Sequence, residues 1–349
     1  MRARVHWPAL LALLWLSPVA AEVLSGSMPP SEFLPLGLLI VVPWYGFGAI
    51  LCRELSIRWQ SGLAGLLMLG AAFGIFEEGI LIKTFFDPHA IDLGVLQQFG
   101  WWGGANWPWM LQLTLYHAVF SICLPVLAIA SLWPAERDRP WLSRRWLLTL
   151  FGILCVMALL GWFFLSPAGE TPPYRPGLPQ FLGAVAAMAI LALLAWRLTL
   201  RPAVSGFTKR WPLFLAGLGW GIWLVGFWII SPTHSAALTM LWTGVAAAGL
   251  LVFAYNRLRA MDLPAVIGGG TLAAGAWLFW VLLAPLQELD NANRADDTSG
   301  MALVGLVGLV LLAGYLIYLG RQWRKVSSQV GGSGAAELLR REQVNQPLP

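Results

Sequence analysis

Charge is what this sequence has least of. Asp, Glu, Lys and Arg make up 11% of the residues while 58% are hydrophobic. Soluble domains are roughly a quarter charged, so a water-soluble globular fold is excluded. Cysteine is scarce too: Cys52, Cys123 and Cys155 stand singly, with no Cys-x-x-Cys spacing. That leaves no disulfide framework and no thiolate metal motif, and the three read as small apolar fillers. Short alternating strands, the mark of a transmembrane barrel, are missing as well.

What the chain has instead is long apolar runs, one after another. They specify an all-α fold, a polytopic transmembrane helical bundle whose first partner is the lipid bilayer. Nine spans are expected near 33–52, 62–85, 107–132, 146–166, 179–198, 212–231, 236–255, 263–285 and 301–319. Many of the 21 tryptophans, among them Trp101, Trp102, Trp107 and Trp109, fall beside span ends, where indole rings form interfacial belts. Residues 1–21 have the layout of a secretory signal peptide. Arg2 and Arg4 give a basic start, Leu10–Leu16 a short apolar core, and Val19-Ala20-Ala21 a small-residue cleavage site before Glu22. An uncleaved extra span is the alternative. A single helical membrane domain then covers 22–320, and the Gly/Ser-rich, polar segment 321–349 reads as a flexible cytoplasmic tail.

The basic residues sort onto one side. Arg53 and Arg58, the Arg137–Arg145 cluster, Arg197–Arg210, Arg257 and Arg259, and the tail from Arg321 to Arg341 occupy alternate connections. The opposite set holds only Lys83, Arg175 and Arg294. This bias puts the basic loops and the C-terminus in the cytoplasm, and the mature N-terminus outside a cell inner (plasma) membrane. The net charge of +5 is therefore a topology signal and implies no nucleic-acid partner.

One stretch breaks the apolar pattern: Gly74–Pro88, reading GIFEEGILIKTFFDP. Glu77 and Glu78 lie inside an apolar span, where a carboxylate costs roughly 2.5–3.5 kcal/mol, so they are expected to face a protein interior. At 100° per residue, Gly70, Gly74, Glu77 and Leu81 share a stripe, with Glu78 at its edge. Gly70 and Gly74 form a small-xxx-small motif that lets another helix approach. Lys83 lies on a different face and is expected to snorkel to the outer interface. On the next span Asn106, Thr114, His117 and Ser121 form a polar stripe, with His117 at a depth comparable to the glutamates. The outer loop 86–106 carries Asp87, His89 and Asp92 in a generic spacing. Neither a metal nor another cofactor is called for.

Glu77-Glu78 on one span and His117 on the next resemble the glutamic intramembrane proteases of the CAAX prenyl-protease and bacteriocin-processing (CPBP) superfamily. The resemblance covers about residues 70–125. It implies that Glu77 activates water, Glu78 supports it, and His117 helps hold the water and the oxyanion. This chain departs from the superfamily pattern in three places. Lys83 comes one residue late, Leu113 stands where Phe is expected four before His117, and the fourth and fifth spans lack a further histidine.

Four functions remain open on the sequence. The first is an intramembrane, peptidase-like hydrolase using Glu77, Glu78 and His117 in the outer half of the bilayer on a membrane-embedded peptide or lipid substrate. Asn106, Thr114 and Ser121 would then line its substrate side. The second is a proton- or cation-coupled transporter or permease. The third is a lipid-linked transferase using Asp87 and Asp92 with a divalent metal. The fourth is a non-catalytic structural subunit. The orientation is testable first. Single cysteines in 88–100 should react with an impermeant reagent from outside intact cells, and those in 137–145 should not. Labelling of 137–145 would reverse the orientation.

Overall fold

The computed structural model describes residues 5–165, 169, 172–198, 209–231, 233–259, 263–291 and 297–344, with side chains as far as 328 except at 35 and 36. The basic start of the leader (Arg2, Arg4), Arg201, Arg294 and the last five residues of the tail lie outside the described residues. Among those described, nine helices are long and apolar enough to cross a membrane, so the chain is a multi-pass helical membrane protein. A shorter apolar helix, α1 (Trp7–Val23), precedes them. The nine are α2 (Gly37–Trp59), α3 (Gly62–Leu81), α4 (Trp107–Leu132), α5 (Arg144–Phe164), α6 (Leu178–Arg197), α7 (Trp211–Ile230), α8 (Ala236–Leu258), α9 (Leu263–Leu289) and α10 (Met301–Ser328).

Two boundaries differ from the expected ones for visible reasons. α3 stops at Leu81, short of the Asp87-Pro88 break, because Lys83 takes a left-handed conformation with φ 70°. The last helix does not end with its apolar run but continues from Met301 to Val344, through most of the segment read as a tail.

Helices α2, α3, α4 and α9 are largely buried, whereas α5, α6, α8 and α10 turn most of their surface outward. Apolar burial on one side joins α1, α2 and α3 with parts of α4 and α5, and on the other joins α4 to α7, α8 and α9. The α3–α4 contact runs through the small-residue stripe. A Cβ on Gly70 would lie 2.9 Å from the Ala118 Cα, and one on Gly74 would lie 2.9 Å from the His117 Cβ. Both separations are below normal carbon contact, so larger residues here would force the helices apart at a cost of about 1–3 kcal/mol.

At one end of α2 a buried ionic clamp holds the 133–143 connection. Glu54 accepts the main-chain N–H groups of Trp141 (2.8 Å) and Leu142 (3.2 Å) and pairs with Arg53 at 2.6 Å. Arg53 also donates to the carbonyls of Glu136 and Arg139, and its guanidinium lies 3.2 Å from the centre of the Trp141 ring. Arg53 is therefore a structural residue as well as a contributor to the charge bias.

One face of helix α1 packs into the bundle, while Trp7, Leu11 and Trp15 on the other face are exposed. Ala9, Leu13, Ser17 and Ala20 are fully buried. Ser17 donates to the Ser121 carbonyl at 2.7 Å, and the Tyr116 hydroxyl donates to the Ala21 carbonyl at 2.8 Å. We propose that this helix, which the sequence presents as a leader, is retained. An epitope placed before Trp7 should remain on the full-length chain in membranes, and a product beginning at Glu22 would show that the helix is removed.

Candidate functional site

Four ionisable residues meet where α1, α3 and α4 come together, and each lies in a locally widened turn. Glu22 is in the π-helical stretch Val19–Val23, Glu77 and Glu78 are in Phe76–Leu81, and His117 opens His117–Cys123. Such i→i+5 turns advance fewer degrees per residue than an α-helix and recur at functional sites. Here the widening brings Glu78, expected at the edge of the stripe, round to the same partner as Glu77.

That partner is the His117 ring. Its Nδ1 is 3.1 Å from Glu77 Oε2, and its Nε2 is 3.1 Å from Glu78 Oε1. The two nitrogens are not equally free. Nδ1 is also 2.9 Å from Ser121 Oγ, and Glu77 Oε2 has no hydrogen-bond partner although it sits beside the ring. Proximity without a hydrogen bond leaves this buried oxygen an acceptor in search of a donor or a cation. Glu77, Glu78 and His117 are exposed by only 3%, 5% and 2%.

The remaining carboxylate oxygens are tied down by groups that the sequence analysis did not single out. The Tyr45 hydroxyl, fully enclosed in α2, bonds to both Glu22 Oε1 and Glu77 Oε1. One hydroxyl has one proton, so the two carboxylates it bridges need a further proton or cation between them. Thr84 donates to Glu78 and accepts from Trp109 Nε1 at 3.2 Å, which fixes its hydroxyl proton toward the carboxylate. Glu22 is half-buried, and its other oxygen accepts from the exposed Ser27 at 2.6 Å. A continuous polar chain therefore runs from Ser27 through Glu22, Tyr45, Glu77, His117 and Glu78 to Thr84.

Lys83 does not neutralise this cluster, nor does it snorkel. It is buried, and its ammonium donates to the carbonyls of Gly161 (2.9 Å), Trp162 (3.4 Å) and Leu165 (2.6 Å) at the end of α5. These carbonyls belong to the last turn and cap of the helix, Gly161 also accepting the Leu165 N–H, and the charge complements the helix dipole. Burial brings the Lys83 pKa down to about 8, with Arg175 pushing the same way and Asp87 opposing.

The expected polar stripe on α4 divides. Ser121 belongs to the centre through His117. Asn106 does not: it caps α4 by accepting from the Trp109 N–H, and its amide holds the loop through the Leu96 and Phe99 carbonyls at 3.0 Å each. Thr114 is half-buried and offers its main-chain carbonyl to the His117 N–H. Asp87 turns onto its own loop, accepting from the His89 N–H at 2.9 Å. Among the described residues, the only group of His, Cys, Asp and Glu with ligand atoms close enough to hold a metal ion is Glu77, Glu78 and His117, all within 4.8 Å of one another.

A family model described as an uncharacterized membrane protein family matches residues 11–168. The matched segment contains Glu22, Tyr45, Glu77, Glu78 and His117, so the whole centre lies within it. It is not a model of the CAAX prenyl-protease and bacteriocin-processing superfamily, and the resemblance drawn from the Glu pair and His117 is corrected accordingly. The geometry offers a reason why so short a motif misleads. Lys83 is committed to capping α5, and the groups completing the centre are Glu22 and Tyr45 rather than a second histidine. No curated protein and no solved structure matches the chain.

Proposed function

We propose that this chain is a cation-coupled membrane transporter whose binding centre is formed by Glu22, Glu77, Glu78 and His117. The observation that carries the reading is the polar chain from exposed Ser27 into the bundle. Two carboxylates flank one imidazole there and a third joins through Tyr45, while Lys83, just past the end of α3, is spent on the end of α5. Ionised carboxylates this deep are stable only when paired or when they bind what they attract. Half-buried Glu22 is the point at which a cation from the outer side would first meet the centre. Release on the other side needs a second conformation, in which α3 and α4 part along Gly70 and Gly74.

A hydrolase is the second reading, favoured by the free Glu77 Oε2 beside an imidazole, an arrangement that can hold and polarise water. It ranks below the first because a scissile bond cannot reach groups this deeply buried in the conformation described, whereas a small cation needs only to pass half-buried Glu22. With the superfamily resemblance corrected, nothing favours a peptide over another substrate.

The two readings separate in reconstituted vesicles. Wild-type protein should raise uptake of at least one cation from a panel of H⁺, Na⁺, Mg²⁺, Mn²⁺ and Zn²⁺, and Glu77→Gln should lower that uptake at least about tenfold, equivalent to 1.4 kcal/mol. Wild-type vesicles no more permeable than empty ones across the panel would overturn the transporter reading. New protein N-termini in membranes containing wild-type chain, and missing with Glu77→Gln, would favour the hydrolase.

A further inference from the structure

We infer that the centre binds a first-row divalent transition-metal ion, with Glu77, Glu78 and His117 as ligands and Glu22 completing the site from the outer side. This deepens the transporter reading by naming its cation, and it rests on that reading for its physiological meaning.

Three separate features point to a metal rather than to a structural carboxylate pair. First, ligand atoms of Glu77, Glu78 and His117 gather within 4.8 Å. The separation of Glu78 Oε1 from Nε2, 3.1 Å, is close to the edge of a coordination tetrahedron, about 3.3 Å for bonds of roughly 2.0 Å. Glu77 Oε2 lies against the other ring nitrogen, Nδ1, so the Glu77 carboxylate must rotate to join an ion bound at Nε2. Second, Glu77 Oε2 is buried, lies beside the imidazole and has no hydrogen-bond partner. Leaving a charged acceptor unmade costs more than a typical hydrogen bond gains, and a cation there removes the cost. Third, the surroundings supply the outer support that metal-bound histidines use, in which the ring nitrogen that does not bind the metal is held by an oxygen partner. Ser121 Oγ lies 2.9 Å from Nδ1, itself fixed by the Ser17 contact to its carbonyl. When Nδ1–H donates to Ser121, the Nε2 lone pair and Glu78 Oε1 face each other as two acceptors at 3.1 Å, and a cation between them makes both favourable.

The donor set selects the class of ion. Two or three carboxylates with one imidazole and no thiolate suit Zn²⁺, Mn²⁺ or Fe²⁺. Alkali ions gain little from an imidazole, and soft Cu⁺ prefers sulfur. Cys52 and Cys123 are buried, and the Cys52 thiol donates to the Leu69 carbonyl.

The test is equilibrium binding to the full-length protein in detergent, stripped with chelator and titrated with Zn²⁺ and with Mn²⁺. Wild type should bind about one ion per chain, and Glu77→Gln and His117→Gln should each weaken binding at least about 100-fold. His89→Ala and Asp87→Asn, which change loop groups, should leave it unchanged. X-ray absorption on the loaded wild type should show an oxygen-rich shell with one imidazole, a readout that needs no variant to fold. No stoichiometric binding by folded wild type, or binding lost with His89→Ala but kept in both site variants, would overturn the inference. Metal binding without uptake into vesicles would sink the transporter reading alone. Uptake of protons or Na⁺ by a protein that binds no metal would sink this inference alone.

Discussion

Uncompensated negative charge inside an apolar bundle is the constraint around which this structure is arranged. Glu77 and Glu78 meet His117 where three helices come together, Glu22 joins them through Tyr45, and among the described residues no Lys or Arg pairs with any of the three. An apolar chain that pays for three such groups needs something positive at the centre, whether proton or metal ion. The neighbours conform to that need. Tyr45 and Thr84 direct hydroxyl protons at carboxylate oxygens, Ser121 holds the imidazole, and Gly70 and Gly74 let α3 approach α4 closely enough for the carboxylates to reach the ring.

Backbone geometry serves the same end. The stretches bearing Glu22, Glu77, Glu78 and His117 are all π-wound, although each belongs to a different part of the chain. A regular α-helix would put Glu77 and Glu78 about 100° apart, one toward the ring and the other past it. The widened turn directs both inward. The opposite end of α2 shows how this protein treats charge that is only structural: Glu54 is fully matched by Arg53 and two main-chain N–H groups. The contrast between a fully satisfied carboxylate and one with an orphaned oxygen separates a clamp from a candidate binding site.

Much of the architecture could be read from the sequence because membrane insertion leaves a strong signal. Long apolar runs mark the spans, and the carboxylates that violate them stand out. That pattern points to Glu77, Glu78, His117 and Ser121, which the fold brings together, and Gly70 and Gly74 form the packing face. Glu22 was missed because small residues before it read as a cleavage site, which removed α1 from consideration. Tyr45 was missed because one hydroxyl in an apolar span is ordinary, and only the third dimension shows two carboxylates at it. Lys83 was misjudged because its left-handed turn and the carbonyls it caps, 78 and more residues away, leave no local trace. Asn106 and Thr114 lie on the right helix, but a shared stripe does not imply a shared partner.

The most direct test of the account is a distance inside the bilayer. Solid-state NMR on full-length protein in lipid, with ring nitrogens of histidine and side-chain carboxyl carbons of glutamate labelled, reports their separation through dipolar coupling. The account predicts one histidine, lost in His117→Gln, with a ring nitrogen about 3.5–4.5 Å from a glutamate carboxyl carbon, as hydrogen-bond-range contact requires. No histidine nitrogen within roughly 6 Å of a glutamate carboxyl carbon, well beyond that range, would contradict it.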